Sequence, residues 1–194
     1  MRAALFPLIL LATPAIADPA DEAATAAFVA TYRDACFSAF DEQGQLIEPP
    51  TRHEAQSTTS YDGSKTPITL WEFSCMMGAY NLSSVVYARS DLTGLVPMTF
   101  ATPDLTIITE DPADPESAVK EVKIAGWSAS PFVTNASFDP LTGEMSEYSK
   151  WRGIGDASSA SVWRLVDEKF RLIRHEVDAT YDGELNPQTL VQFD

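Results

Sequence analysis

Cys36 and Cys75 are the only two cysteines in the chain, and the setting of each constrains how the first half can fold. Ahead of them Met1 and Arg2 make a short positive start, Ala3 to Ala12 is an apolar run, and Ala15-Ile16-Ala17 has the small-x-small form of a cleavage site. Residues 1–17 therefore read as a secretory signal peptide and residues 18–194 as a single exported domain. The apolar run is too short for a hydrocarbon core, which needs roughly 20 apolar residues, and no later run approaches that length, so no membrane span is expected after cleavage. Export puts both cysteines in an oxidising compartment, where a pair becomes a disulfide; the alternative is two buried thiols.

Local pattern favours the bridge. Asp18-Pro19 is a cap followed by a first-turn proline, Asp21 and Glu22 suit the positive end of a helix dipole, and Ala24, Phe28, Tyr32, Cys36 and Phe40 recur every four residues. This predicts a helix of roughly 20 residues with Cys36 on its apolar stripe. Around Cys75 the alternation of ITLWEFSCMM sets Trp71, Phe73, Cys75 and Met77 on one core-facing side of a strand. A bridge would tie the helix to that strand, close a loop of about 40 residues and contribute roughly 4 kcal/mol by the chain-entropy relation. With no CxxC spacing and no basic neighbour to activate a thiol, a redox role is not expected.

The rest of the chain is β in pattern. Asp41 to Lys65 is polar and broken by Gly and Pro, with one edge strand expected near Ala55 to Tyr61. Further strands are expected at Pro67–Met76, Leu82–Arg89, Leu95–Ala101, Leu105–Thr109, Val119–Trp127, Phe132–Phe138, Glu144–Trp151, Ser161–Val166 and Lys169–Val177. Turn signals at Asp91 to Gly94, Asp111-Pro112, Asp139 to Gly143 and Asp167-Glu168 separate them, and the acidic Asp111 to Ser117 reads as a solvated hairpin loop. The fold class is α+β: a mostly antiparallel β-sheet or sandwich with one N-terminal helix packed on it.

Charge narrows the partners. Against 28 Asp and Glu stand 13 Lys and Arg, a net charge of −15 that repels phosphate backbones, so no nucleic-acid partner is expected; the partner, an envelope protein or ligand, stays unidentified, and a basic one is among the options. The 10 Phe, 6 Tyr and 4 Trp argue for a folded core in spite of that charge. No metal ligands, cofactor site or catalytic residues are assigned. His53 and His175 stand apart without a ligand cluster and read as surface or strand-end residues, while Asp139 to Glu144 has Pro and Leu where calcium ligands belong. Gly126-Trp127-Ser128-Ala129-Ser130 lacks the second Gly of a nucleophile elbow. Asn81-Leu82-Ser83 and Asn135-Ala136-Ser137 match the glycosylation triplet, a coincidence in a chain with this export signal. Trp71, Trp127, Trp151 and Trp163 read as core or sheet-face aromatics.

Three segments carry a resemblance: Trp71-x-Phe73-x-Cys75-x-x-Gly78-Ala79-Tyr80-Asn81, then Asn135-x-x-Phe138-Asp139-Pro140-x-Thr142-Gly143, then Lys150-x-Arg152-Gly153-x-Gly155-Asp156. In this order and spacing, over roughly Pro67 to Gly183, the chain resembles the exported bacterial family called domain of unknown function 1176. The resemblance implies an envelope location and no particular reaction. It also implies a missing bridge, because Ala157 stands where family members look to have Cys and the cysteine expected near Val177 to Gly183 is absent. By its residues RGxGD is a tight turn; if the three segments converge, Tyr80, Asn81, Arg152 and Asp156 are candidate recognition residues. The expected function is that of an uncharacterised periplasmic or secreted cell-envelope protein, a non-enzymatic binding or structural domain for an envelope protein or ligand. The alternatives are an inhibitor of a cationic hydrolase such as lysozyme, and an envelope-glycan hydrolase using paired carboxylates.

Overall fold

The computed structural model describes residues 18–114 and 116–193, so the expected signal peptide lies outside the described residues. Helix α1 (Pro19–Tyr32) is followed by a 3₁₀ turn (Phe37–Ala39) and by strands β1 (Thr51–Thr58), β2 (Lys65–Met77), β3 (Leu82–Ser90), β4 (Gly94–Pro97), β5 (Phe100–Thr109) and β6 (Val119–Ser130). Six further strands follow: β7 (Phe132–Thr134), β8 (Ser137–Asp139), β9 (Glu144–Lys150), β10 (Ser158–Val166), β11 (Lys169–Asp178) and β12 (Gln188–Gln192). The fold is α+β, dominated by strands that pair antiparallel apart from one parallel bridge, Thr58 to Val166. The hairpin β5–β6 forms a separate two-stranded sheet.

Helix α1 begins where the sequence places it, with the Asp18 side chain accepting from Ala20 N–H, but it ends at Tyr32 rather than near Phe40. No basic residue occupies its last turn, and Asp34 just beyond would put a carboxylate on the negative end of the dipole. Cys36 sits instead at the start of the 3₁₀ turn, bonded to Cys75 with 4.4 Å between the Cα atoms.

Strand β2 is buried on both faces. Trp71, Phe73 and Cys75 pack under α1 with Phe28, and the Phe28 and Phe73 rings stack at 4.4 Å. Ile68 and Leu70 point the other way, into a second core with Val86, Met145, Trp163, Leu165 and Phe170. A bulge between Ser74 and Met76 then shifts the register, so Met77, expected on the core face, is exposed.

Four expectations from pattern are corrected. The first strand is Thr51–Thr58 and lies between β2 and β10, not at an edge. Leu95–Ala101 divides into β4, which ends at Pro97, and β5, which starts at Phe100 and runs on through the expected Leu105–Thr109. Phe132–Phe138 divides at Asn135, which takes a φ of 44° that a strand cannot hold. His175 is no surface residue: it is buried on β11. Strand β12 was not visible in the sequence because its five residues, QTLVQ, carry too short an alternation.

Ser158 pairs with Asp178, and the same register carried one residue further sets Ala157 opposite Ala179, both buried. These facing positions are those at which the family resemblance implies the missing cysteines. Cys36→Ala/Cys75→Ala should lose about 4 kcal/mol in denaturant unfolding. Ala157→Cys/Ala179→Cys should show no free thiol when oxidised and melt at a higher temperature than its reduced form.

Candidate functional site

The three motif segments do converge, and asparagine side chains join them. Asn81 donates from Nδ2 to the Lys150 carbonyl at 2.8 Å and accepts on Oδ1 from Lys150 N–H at 3.1 Å, as a neighbouring strand would. Asn135 accepts from Leu82 N–H at 2.9 Å and donates both to Asn81 Oδ1 at 2.9 Å and to the Tyr148 carbonyl at 2.8 Å. These bonds close the gap between β7, paired to β3, and β9, paired to β10. Both asparagines of the glycosylation triplets are thus half-buried and engaged inside the protein.

The same contacts orient the residues beyond β9. Tyr80 donates from its hydroxyl to the Trp151 carbonyl at 3.1 Å, and Trp151 N–H donates to the Ala157 carbonyl at 2.9 Å, so the Trp151 backbone is held on both sides. The RGxGD turn follows, with Gly155 at a φ of 77° and Tyr148 donating to its carbonyl at 2.9 Å. Arg152 forms a two-pronged pair with the buried Asp156, with Nε at 2.8 Å from Oδ1 and an Nη atom on Oδ2. It also donates to the Tyr181 carbonyl at 2.8 Å and lies over the Tyr181 ring, 5.1 Å from its centroid.

Asp156 accepts in addition from Gly183 N–H at 2.9 Å. The Arg152 guanidinium, aided by that backbone donor, holds the Asp156 carboxyl well below the usual carboxylate range. Nearby Asp178 is buried too; burial pushes its carboxyl up, but donors from Thr180 and Asn186 outweigh this and the net shift is downward. These two acids are therefore ionised anchors of the 179–186 segment, not a proton-sharing pair.

Sequence reasoning missed what lies against this turn. The hairpin β5–β6 leans over the body, its tip carrying Glu116 to 3.8 Å from Arg152. Between them is a cleft of about 420 Å³ lined by Ile107, Ile108, Thr109 and Pro112 on the hairpin and by Trp151, Ala179 and Tyr181 on the body. Nothing in the sequence pointed to it, since Trp151 reads there as a core or sheet-face aromatic and Tyr181 lies 25 residues beyond Asp156. Trp71 and Trp163 in the core and Trp127 on the exposed face of β6 are as expected, whereas Trp151 lines the cleft.

A second polar cluster was also missed. Ser161 Oγ lies 3.0 Å from Glu147 Oε1 and 2.9 Å from His175 Nδ1. Burial pushes the Glu147 carboxyl up and the His175 imidazole down. The residue types are those of a hydrolytic triad, yet Ser161 and His175 are sealed in the interior, where no substrate reaches the hydroxyl. Among the described residues no group of three His, Cys, Asp or Glu side chains is placed to hold a metal ion, and no helix is long and apolar enough to cross a membrane.

The fold is a curled, mostly antiparallel sheet with a helix on one face, and its motif residues brace a turn beside a largely apolar cleft. The chain belongs to the family described as "Protein of unknown function (DUF1176)", which matches residues 6–187. No curated protein and no solved structure matches it.

The depressed Asp156 and Asp178 carboxyls, ordinarily near 3.8, make a pH prediction. Their contribution is fully present above the unfolded value and is lost as pH falls through the lower folded values. Asp156→Asn should melt below the native protein at about pH 6, with the difference closing towards about pH 2 in a Tm series.

Proposed function

We propose that residues 1–17 are a signal peptide and that residues 18–194 form one exported domain of the periplasm or cell envelope, a non-enzymatic binding module that works through the cleft beside Trp151. The observation that carries this reading is the state of the motif residues. Arg152 and Asp156 neutralise each other, and Asp156 stays ionised far below neutral pH, so neither can cycle a proton. What they present to solvent is a fixed apolar surface, Trp151 and Tyr181, facing two partly exposed isoleucines. Tyr80 and Asn81 act behind that surface as positioning residues, and the Cys36–Cys75 bridge is compatible with an oxidising compartment.

Two measurements test this. A neutral apolar dye such as Nile red should gain fluorescence on the native protein, and Ile108→Asp should remove most of that gain while leaving the far-UV circular dichroism unchanged. An equal gain on the variant would refute the cleft as the binding site. Incubated with purified cell walls, the protein should release no fragments; release of sugar fragments would establish the hydrolase alternative, and slower digestion by added lysozyme would identify the binding partner as that basic enzyme.

A further inference from the structure

We infer that the cleft beside Trp151 takes a cationic amphipathic polypeptide segment, one in which an apolar side chain is flanked by Lys or Arg. This rests on the binding reading above and adds the class of partner. The cleft is lined mostly by apolar residues: Ile107, Ile108 and Pro112 beside Thr109 on the hairpin, and Trp151, Ala179 and Tyr181 on the body. Ile107 and Ile108 are 37% and 38% exposed, on a two-stranded sheet that has no third strand among the described residues. Such a hairpin is marginal by itself and gains from a partner that covers its apolar side chains. At about 420 Å³ the space suits one or two side chains, being near the lower end of the roughly 300–1,000 Å³ range for ligand pockets.

The rim decides which chain those side chains belong to. Glu110 and Asp111 precede Pro112, Asp114 and Glu116 follow it, and Asp182 and Glu184 follow Tyr181 on the opposite wall, all exposed. Three of them are braced in place, since Asp111, Asp114 and Asp182 each accept from a backbone N–H of their own turn. Two cations lie close by: Arg152 is matched by Asp156 and faces Glu116, and Lys120 donates to the Glu110 carbonyl at 3.5 Å, so together they are outnumbered by the carboxylates around them. An anionic segment is repelled by this rim and a neutral apolar one leaves its carboxylates without partners. A segment with cations on either side of an apolar residue satisfies both floor and rim, and the net charge of −15 steers it in from a distance.

The test uses the whole purified protein and three eight-residue peptides in titration calorimetry: two central leucines flanked by lysines, the same peptide with glutamates for the lysines, and the same with serines for the leucines. The lysine–leucine peptide should bind at least about tenfold more tightly than either of the others, and should weaken several-fold when salt is raised from about 0.05 M to 0.5 M. Ile108→Asp should weaken it at least about tenfold. Glu110→Gln/Glu116→Gln, two exposed side chains whose loss leaves the fold intact, should weaken it a few-fold and flatten the salt dependence. If the glutamate peptide binds as well and Ile108→Asp abolishes both, the cationic class is wrong while the cleft stands. If the serine peptide binds equally, or Ile108→Asp changes nothing, the attraction is diffuse charge and the inference fails. If no peptide binds, the inference fails too, and the Nile red measurement separately decides the binding reading.

Discussion

Closure of the sheet depends on two asparagines. Between β7 and β9 no backbone ladder forms, and the amides of Asn81 and Asn135 supply its donors and acceptors instead. An amide side chain can do this because it carries a donor and an acceptor in the same planar arrangement as a peptide group. Asn135 reaches its place by taking a φ of 44°, which its short polar side chain tolerates better than most. The core of Val86, Val133, Met145, Trp163 and Leu165 lies inside the closed path, so the seam and the apolar interior support one another.

The geometry of the turn and cleft follows from that seam. Asn81 holds Lys150 and Tyr80 holds Trp151, so the end of β9 leaves the sheet in one direction, and the RGxGD turn begins from a fixed point. The Arg152–Asp156 pair then braces the 179–186 segment through Tyr181 and Gly183. Charge is consumed inside the turn, and the residues left facing the hairpin are aromatic and aliphatic.

Under α1 a different constraint acts. Burial of β2 on both faces requires a cover for Trp71 and Phe73, and α1 provides it, with Asp21 accepting from the Trp71 indole at 2.8 Å. The disulfide fixes the exit of the helix segment to the bulged end of β2. Arg52, from the strand next door, pairs with Asp18 and Asp21 at the helix start, so both ends of the cover are tied down.

The class of fold, the bridge and the start of α1 were legible from residues alone, because cap chemistry, period-two alternation and cysteine pairing are properties of short stretches. The motif segments were legible too, as patterns whose meeting point was open. Hidden were the two-sided burial of β2, the interior placement of His175, the stop of α1 at Tyr32 and the cleft itself. Each depends on which distant strand lies opposite, as when the β5–β6 hairpin brings Glu116 to Arg152, and no local spacing encodes that. What the sequence determined by itself was the β-rich class of fold, the staple and the acidity. The tertiary structure alone decided that Asn81 and Asn135 close a sheet and that Trp151 faces a hairpin, because those contacts form only once the chain has curled back on itself.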